Sequence, residues 1–185
     1  MALTFAVTFV LTLGWMQSPS HFAADVIAGI KSVSADVSTV AQQIHFNLPA
    51  PLIDDPIDFV DDGNRGDIIP QALSLITISL SEGDARLRSM SHGPLSDEDA
   101  KFVVKALATL VQVQKELLSA VIPEQELPSH TPYFKCIRQC LVTLKQAVII
   151  FAKDVTVLIP TEKSSVDKLF DSLSVKFENV INVFW

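Results

Sequence analysis

The sequence predicts an all-α fold, an up-and-down bundle of about five helices. Three observations carry that prediction. Apolar residues recur at alternating steps of three and four in five separate stretches, the spacing of one helical face. Ser, Thr and Pro punctuate those stretches where helices start and stop. No tight Asn-Gly type turn between alternating runs marks a β-hairpin.

The first stretch, from about residue 20 to 46, places Val26, Ile30, Val33, Val37, Val40 and Ile44 on one stripe. Residues 47–67 follow, with three prolines, six aspartates and two glycines, and read as a long acidic loop that is either functional or mobile. A second helix is expected from about Ile68, with Pro70 tolerated in its first turn and Leu73, Ile76, Leu80 and Leu87 on its apolar side. Leu75, Ile76, Thr77 and Ile78 would also suit a strand. The third helix has a clear start, with Ser96 as N-cap and Asp97, Glu98 and Asp99 in the first turn. Phe102, Val103, Ala106, Leu110, Val113, Leu117 and Val121 form its stripe, and Pro123 stops it.

Thr131 and Pro132 start the fourth helix, whose stripe runs Phe134, Ile137, Leu141, Leu144, Val148, Phe151, Val155 and Leu158 up to Pro160. Val142, Ile149, Ile150 and Ile159 make it apolar on more than one face, which predicts the central, most enclosed position. Ser164 with Asp167 is expected to open the fifth helix, and Val166, Leu169, Phe170, Leu173, Phe177, Val180, Ile181 and Phe184 form its buried side. Helices that follow each other in the chain are expected to pack as antiparallel neighbours.

Residues 1–16 contain no charged side chain and are short for a bilayer span, so residues 1–20 read as a signal peptide ahead of a single helical domain at 21–185. A buried first helix and a membrane anchor are the rival readings of that segment. The signal reading predicts a secreted protein with no transmembrane segment after its removal. A chain of 185 residues buries enough surface to fold without disulfides or a metal. Its net charge of −7, with fourteen scattered basic residues, excludes nucleic acid as a partner, because phosphate neutralisation needs clustered Lys and Arg. Cys136 and Cys140 lie one helical turn apart, where a bond would constrain almost nothing, so buried free thiols are expected, with a strained local disulfide as the alternative.

No catalytic constellation is legible. His21, His45, His92 and His130 are isolated, with no paired spacing for zinc. The acidic loop fails the calcium-loop frame, since with Gly63 as the turn glycine the third position is Val60 and the twelfth Ile69. Neither a Gly-rich phosphate loop nor a G-x-S-x-G elbow occurs, so no enzyme activity and no cofactor are expected.

What remains is apolar surface. Helices three to five carry more of it than one stripe needs, which leaves two readings: a fully packed core, or an interior with a slot for an aliphatic ligand. The candidate lining residues are Val113, Leu117, Leu144, Val148, Phe151, Phe170, Leu173 and Phe177. Lys145, Lys153 or a helix N-terminus would serve a carboxylate head.

The run 95–100 (Leu-Ser-Asp-Glu-Asp-Ala), Ala106 and Leu107 up to Leu117 and Leu118, the run 141–147 (Leu-Val-Thr-Leu-Lys-Gln-Ala) up to Phe151 and Ala152, and the run 157–160 (Val-Leu-Ile-Pro) together resemble the fungal hydrophobic surface binding protein family, which includes cell-wall galactomannoproteins. The resemblance covers roughly residues 24–184, including a Gly66-Asp67 lead-in to the second helix. It implies a secreted five-helix bundle that coats apolar surfaces or holds a fatty acid or other long-chain lipid in a channel between helices. It also implies a lipolytic enzyme as a partner. The sequence departs from that pattern in its acidic loop and its cysteines, and no Ser/Thr-rich stalk follows, so free secretion is expected over attachment to the cell wall. The expected function is therefore non-catalytic binding of hydrophobic surfaces or long-chain lipid. The alternative is a secreted interaction module, an effector or surface antigen, with a packed core and no ligand.

Overall fold

Ser20 precedes the first helix and its hydroxyl accepts the Ala23 N–H at 3.3 Å, the bond that frees a helix start from one orphan donor. Helix α1 (His21–Asn47) follows in the computed structural model, which describes residues 18–47, 68–90, 93–122 and 132–184. The chain continues through α2 (Ile68–Ser89), α3 (Asp97–Val121), α4 (Pro132–Leu158), a single 3-10 turn at Pro160–Glu162, and α5 (Lys163–Val183). The described residues contain no strand, so the run from Leu75 to Ile78 is helical, with Leu73, Ile76 and Leu80 buried and Leu75 and Ile78 facing out. Most of the proposed signal segment, the acidic loop and Gly66-Asp67 lie outside the described residues.

Side-chain contacts give each helix its direction. The Ser20 N–H bonds Asp99 Oδ1, so α1 and α3 start together and run parallel. Ser79 donates to Asp36 while Gly83 faces Val33, a rising number against a falling one, so α1 and α2 are antiparallel. Ser74 meets Cys140 and Arg88 meets Asp154, both pairs 66 apart, which makes α2 and α4 parallel and in register. Phe134 against Phe184 and Lys145 against Glu178 make α4 and α5 antiparallel. Helices α1, α3 and α5 therefore run one way and α2 and α4 the other, the alternation expected of an up-and-down bundle.

The packing order differs from the chain order. Packed neighbours are α1 with α2, α2 with α4, α4 with α5, α5 with α3, and α3 with α1, which closes a ring of five. Neither α2 and α3 nor α3 and α4 are packed neighbours, although each pair is consecutive. The linker between α2 and α3 has seven residues, which reach about 23 Å when extended and so can cross one end of the ring. Chain-consecutive helices are antiparallel but only α1–α2 and α4–α5 touch along their lengths, because every helix must bury its stripe and a ring gives each one two partners.

The ring encloses one core, formed by all six residues of the α1 stripe and by the stripes of the other four helices. Several local expectations are corrected by it. Helix α4 is not central: its packed helix neighbours are α2 and α5, and it leaves Ile150 at 44% and Val157 at 70% exposure. Phe102 is 37% exposed because it stands about 100° from the centre of the buried face formed by Val103, Leu107, Leu110, Gln114 and Leu117. Ser164 does not cap α5, which starts at Lys163 after Glu162, with Ser165 donating to the Glu162 carboxylate at 2.6 Å. Both cysteines are free, but Cys136 is exposed and Cys140 half-buried, since Phe134, Ile137 and Leu141 occupy the inward positions there.

Candidate functional site

The eight candidate lining residues converge on the same core. Leu117 on α3, Leu144, Val148 and Phe151 on α4, and Leu173 and Phe177 on α5 are buried, and Val113 and Phe170 are half-buried against them. Leu117, Leu144 and Leu173 have 0% exposure, so no gap wide enough for water touches them. At these three residues the expected channel is not open.

Openings lie instead at the ring's outer surface. The larger, about 1100 Å³, runs over the outward face of α3 between α1 and α5, and Gln42, Lys115, Glu116 and Lys176 are among the residues that line it. A smaller one, about 300 Å³, sits between α1 and α2 and is lined by Gly29, Ile30, Gly83, Leu87, Met90 and Phe151. Phe151 is the one candidate residue that reaches either of them. Two facing helices each carry a glycine here, and a Cβ on Gly83 would stand 3.6 Å from the Phe151 ring. Phe151 lies at the bottom of this opening, beside the two glycines that carry no side chain into it.

The cationic candidates lie outside the interior. Lys145 is engaged with Glu178 at 2.9 Å, and Lys153 is exposed. The α3 N-terminus is occupied by its own cap, with Ser96 accepting the Asp99 N–H at 3.2 Å. Asp99 also accepts the Ser20 N–H at 2.9 Å, and these bonds to Ser20 hold its carboxyl below the usual range despite burial.

Two polar features were not singled out from the sequence. Asp84 and Asp154 meet at the α2–α4 seam with Arg88 bridging them. Burial first, then the hydrogen bond and negative charge of Asp154, push the Asp84 carboxyl up to about 6. Burial alone would raise Asp154 too, but hydrogen bonds from Asp84 and Arg88 bring it below its ordinary value. Below about pH 6 the proton therefore sits on Asp84 and the charge on Asp154. No nucleophile stands beside them among the interactions of the described residues, and the pair joins two helices.

The second feature is Gln114, 1% exposed on α3, whose Nε2 and Oε1 both lack a hydrogen-bond partner. Its signal was present in the sequence: Leu110, Gln114, Leu117 and Val121 keep the four–three spacing of the stripe. Among the described residues no group of three or more His, Cys, Asp and Glu converges to hold a metal ion, and no helix is long and apolar enough to cross a membrane.

No protein-family model and no curated protein matches the chain. Among solved structures, AfMP4p in complex with palmitic acid is similar, with a TM-score of 0.71 and 15% sequence identity over 88% of this chain and 99% of that one. At that identity the likeness is one of fold, and it spans nearly the whole of both chains.

Proposed function

We propose that this protein is a secreted, non-catalytic binder of long-chain lipids, a relative of the fungal hydrophobic surface binding proteins, and that the acyl chain lies among the helices of the ring. The observation that supports this reading is the fold shared with AfMP4p, a protein whose structure holds palmitic acid. The interior suits such a ligand chemically. It is a continuous apolar core, and each methylene transferred from water into it contributes about 0.8 kcal/mol.

Because Leu117, Leu144 and Leu173 are enclosed, an acyl chain must part helices or displace side chains to sit beside them. The opening over Phe151 offers a way in, since Gly29 and Gly83 present no side chain among the α1 and α2 residues that line it. Secretion rests on the apolar segment at residues 1–20.

Adsorption to an apolar surface is a second reading, favoured by Leu75, Ile78, Val157 and Val175, which are each more than half exposed. Native mass spectrometry of the protein purified from culture medium, followed by denaturing extraction, separates the two. Fatty acid released only on unfolding supports internal carriage. A bare chain that takes up no added palmitate overturns it and leaves surface adsorption or a protein partner, including a lipolytic enzyme.

A further inference from the structure

Gln114 stands in the middle of the inward stripe of α3, flanked one turn away on either side by Leu110, Val111, Leu117 and Leu118, all buried. Both ends of its amide are unbonded, and neither has surface that water could reach. An orphaned buried donor or acceptor is destabilising, and here there are both. Leucine would fill the stripe without that cost.

The polarity at this height is not confined to one residue. Ser34 on α1 is also buried, and its hydroxyl donates to the Ile30 carbonyl at 2.8 Å, which leaves its oxygen able to accept. Counting from the Ser20–Asp99 contact, Ser34 is 14 residues up α1 and Gln114 is 15 up α3, so in parallel helices they lie at one level. The other buried polar residue among those described, Asp99, is used to tie the helix starts.

We infer that Gln114 is the polar seat for the head of the bound lipid, and that the head is a group which donates and accepts at once: an un-ionised carboxyl or a hydroxyl. This rests on the lipid-binding reading above. Such a head satisfies both orphans together, its O–H donating to Oε1 and its oxygen accepting from Nε2. No Lys or Arg is among the buried residues described, so a carboxylate anion there would be buried without a countercharge, which strongly disfavours it. The acid therefore binds in its protonated form, and a long-chain alcohol binds without regard to pH.

The test titrates the delipidated full-length protein and its Gln114→Leu variant with palmitic acid, 1-hexadecanol and hexadecane. The variant is expected to melt no lower than the wild type and to lose tenfold or more in affinity for the acid and the alcohol, with hexadecane unchanged. Wild-type affinity for palmitic acid is expected to fall about tenfold per pH unit above the acid's own pKa, while that for hexadecanol stays flat. The side-chain amide resonance of Gln114 in the wild type should move on adding hexadecanol and not hexadecane, a readout that does not depend on the variant folding. Equal binding of acid and alcohol by both proteins, or a Gln114 resonance indifferent to hexadecanol, overturns the assignment. A wild type that takes up none of the three overturns the lipid-binding reading instead.

Discussion

The Ser20 backbone N–H donates to Asp99 Oδ1 at 2.9 Å, joining the start of α1 to the start of α3 across 79 positions of the chain. Asp99 is buried, and the bonds from Ser20 keep it ionised. A lowered carboxyl pKa contributes stability that is present above the unfolded value, near pH 4, and is lost as pH falls through the folded one. Asp99→Ala should therefore cost about 1–3 kcal/mol in urea unfolding at pH 7. The difference from wild type should shrink as the pH drops below 4. A constant difference down to pH 2 would show that packing, not charge, is what Asp99 supplies.

Asp84 works in the opposite direction. Its carboxyl is raised from 3.8 to about 6, so between those values the folded protein holds a proton that the unfolded chain has lost, and stability falls as pH rises through that window. Asn at this position donates to Asp154 permanently, as protonated Asp does. Asp84→Asn should match the wild type near pH 4 and exceed it at pH 7 by up to about 2–3 kcal/mol. A variant less stable than wild type at pH 7 would mean that the Arg88 ion pair outweighs the burial of the Asp84 charge.

Gly29 on α1 and Gly83 on α2 line the same opening but differ in what surrounds them. A Cβ on Gly29 meets nothing within 4 Å, whereas one on Gly83 meets a Val33 methyl at 3.2 Å. Gly29→Ala should gain about 0.5–1 kcal/mol of helix stability, a rise in melting temperature of about 2–4 °C per kcal/mol. Gly83→Ala should gain clearly less, because the crowding of Val33 offsets its propensity. Equal gains in calorimetry would count against the close packing of α2 on α1.

Phe177 is 1% exposed and reaches neither opening. Phe177→Ala should cost about 3–5 kcal/mol, lost contacts and residual cavity together. If acyl chains lie in the core, saturating palmitate should recover part of that loss. No recovery would place the acyl chain away from Phe177.

The third helix shows how far the sequence reached. Its start, cap and stop are set by Ser96, the three acids after it and Pro123, all local, and the structure repeats them as Asp97–Val121. The same stripe contains Gln114, but a lone Gln in an apolar line reads equally well as a satisfied core residue. Only the absence of any partner around it makes it a candidate. Phe151 was legible as a core residue from spacing alone. Its position beneath an opening was not, because that depends on Gly29 and Gly83 of two other helices.

The sequence by itself determined five helices, their stops and which face of each is buried, because the 3.6-residue repeat and the capping bonds act within a few residues of each other. The tertiary structure decided the ring order, with α4 set against α2 and α5, not at the centre, and it brought Asp84 to Asp154 and Ser20 to Asp99. Those outcomes depend on which stripe meets which across the ring, and five apolar stripes of similar width do not encode that choice in their spacing.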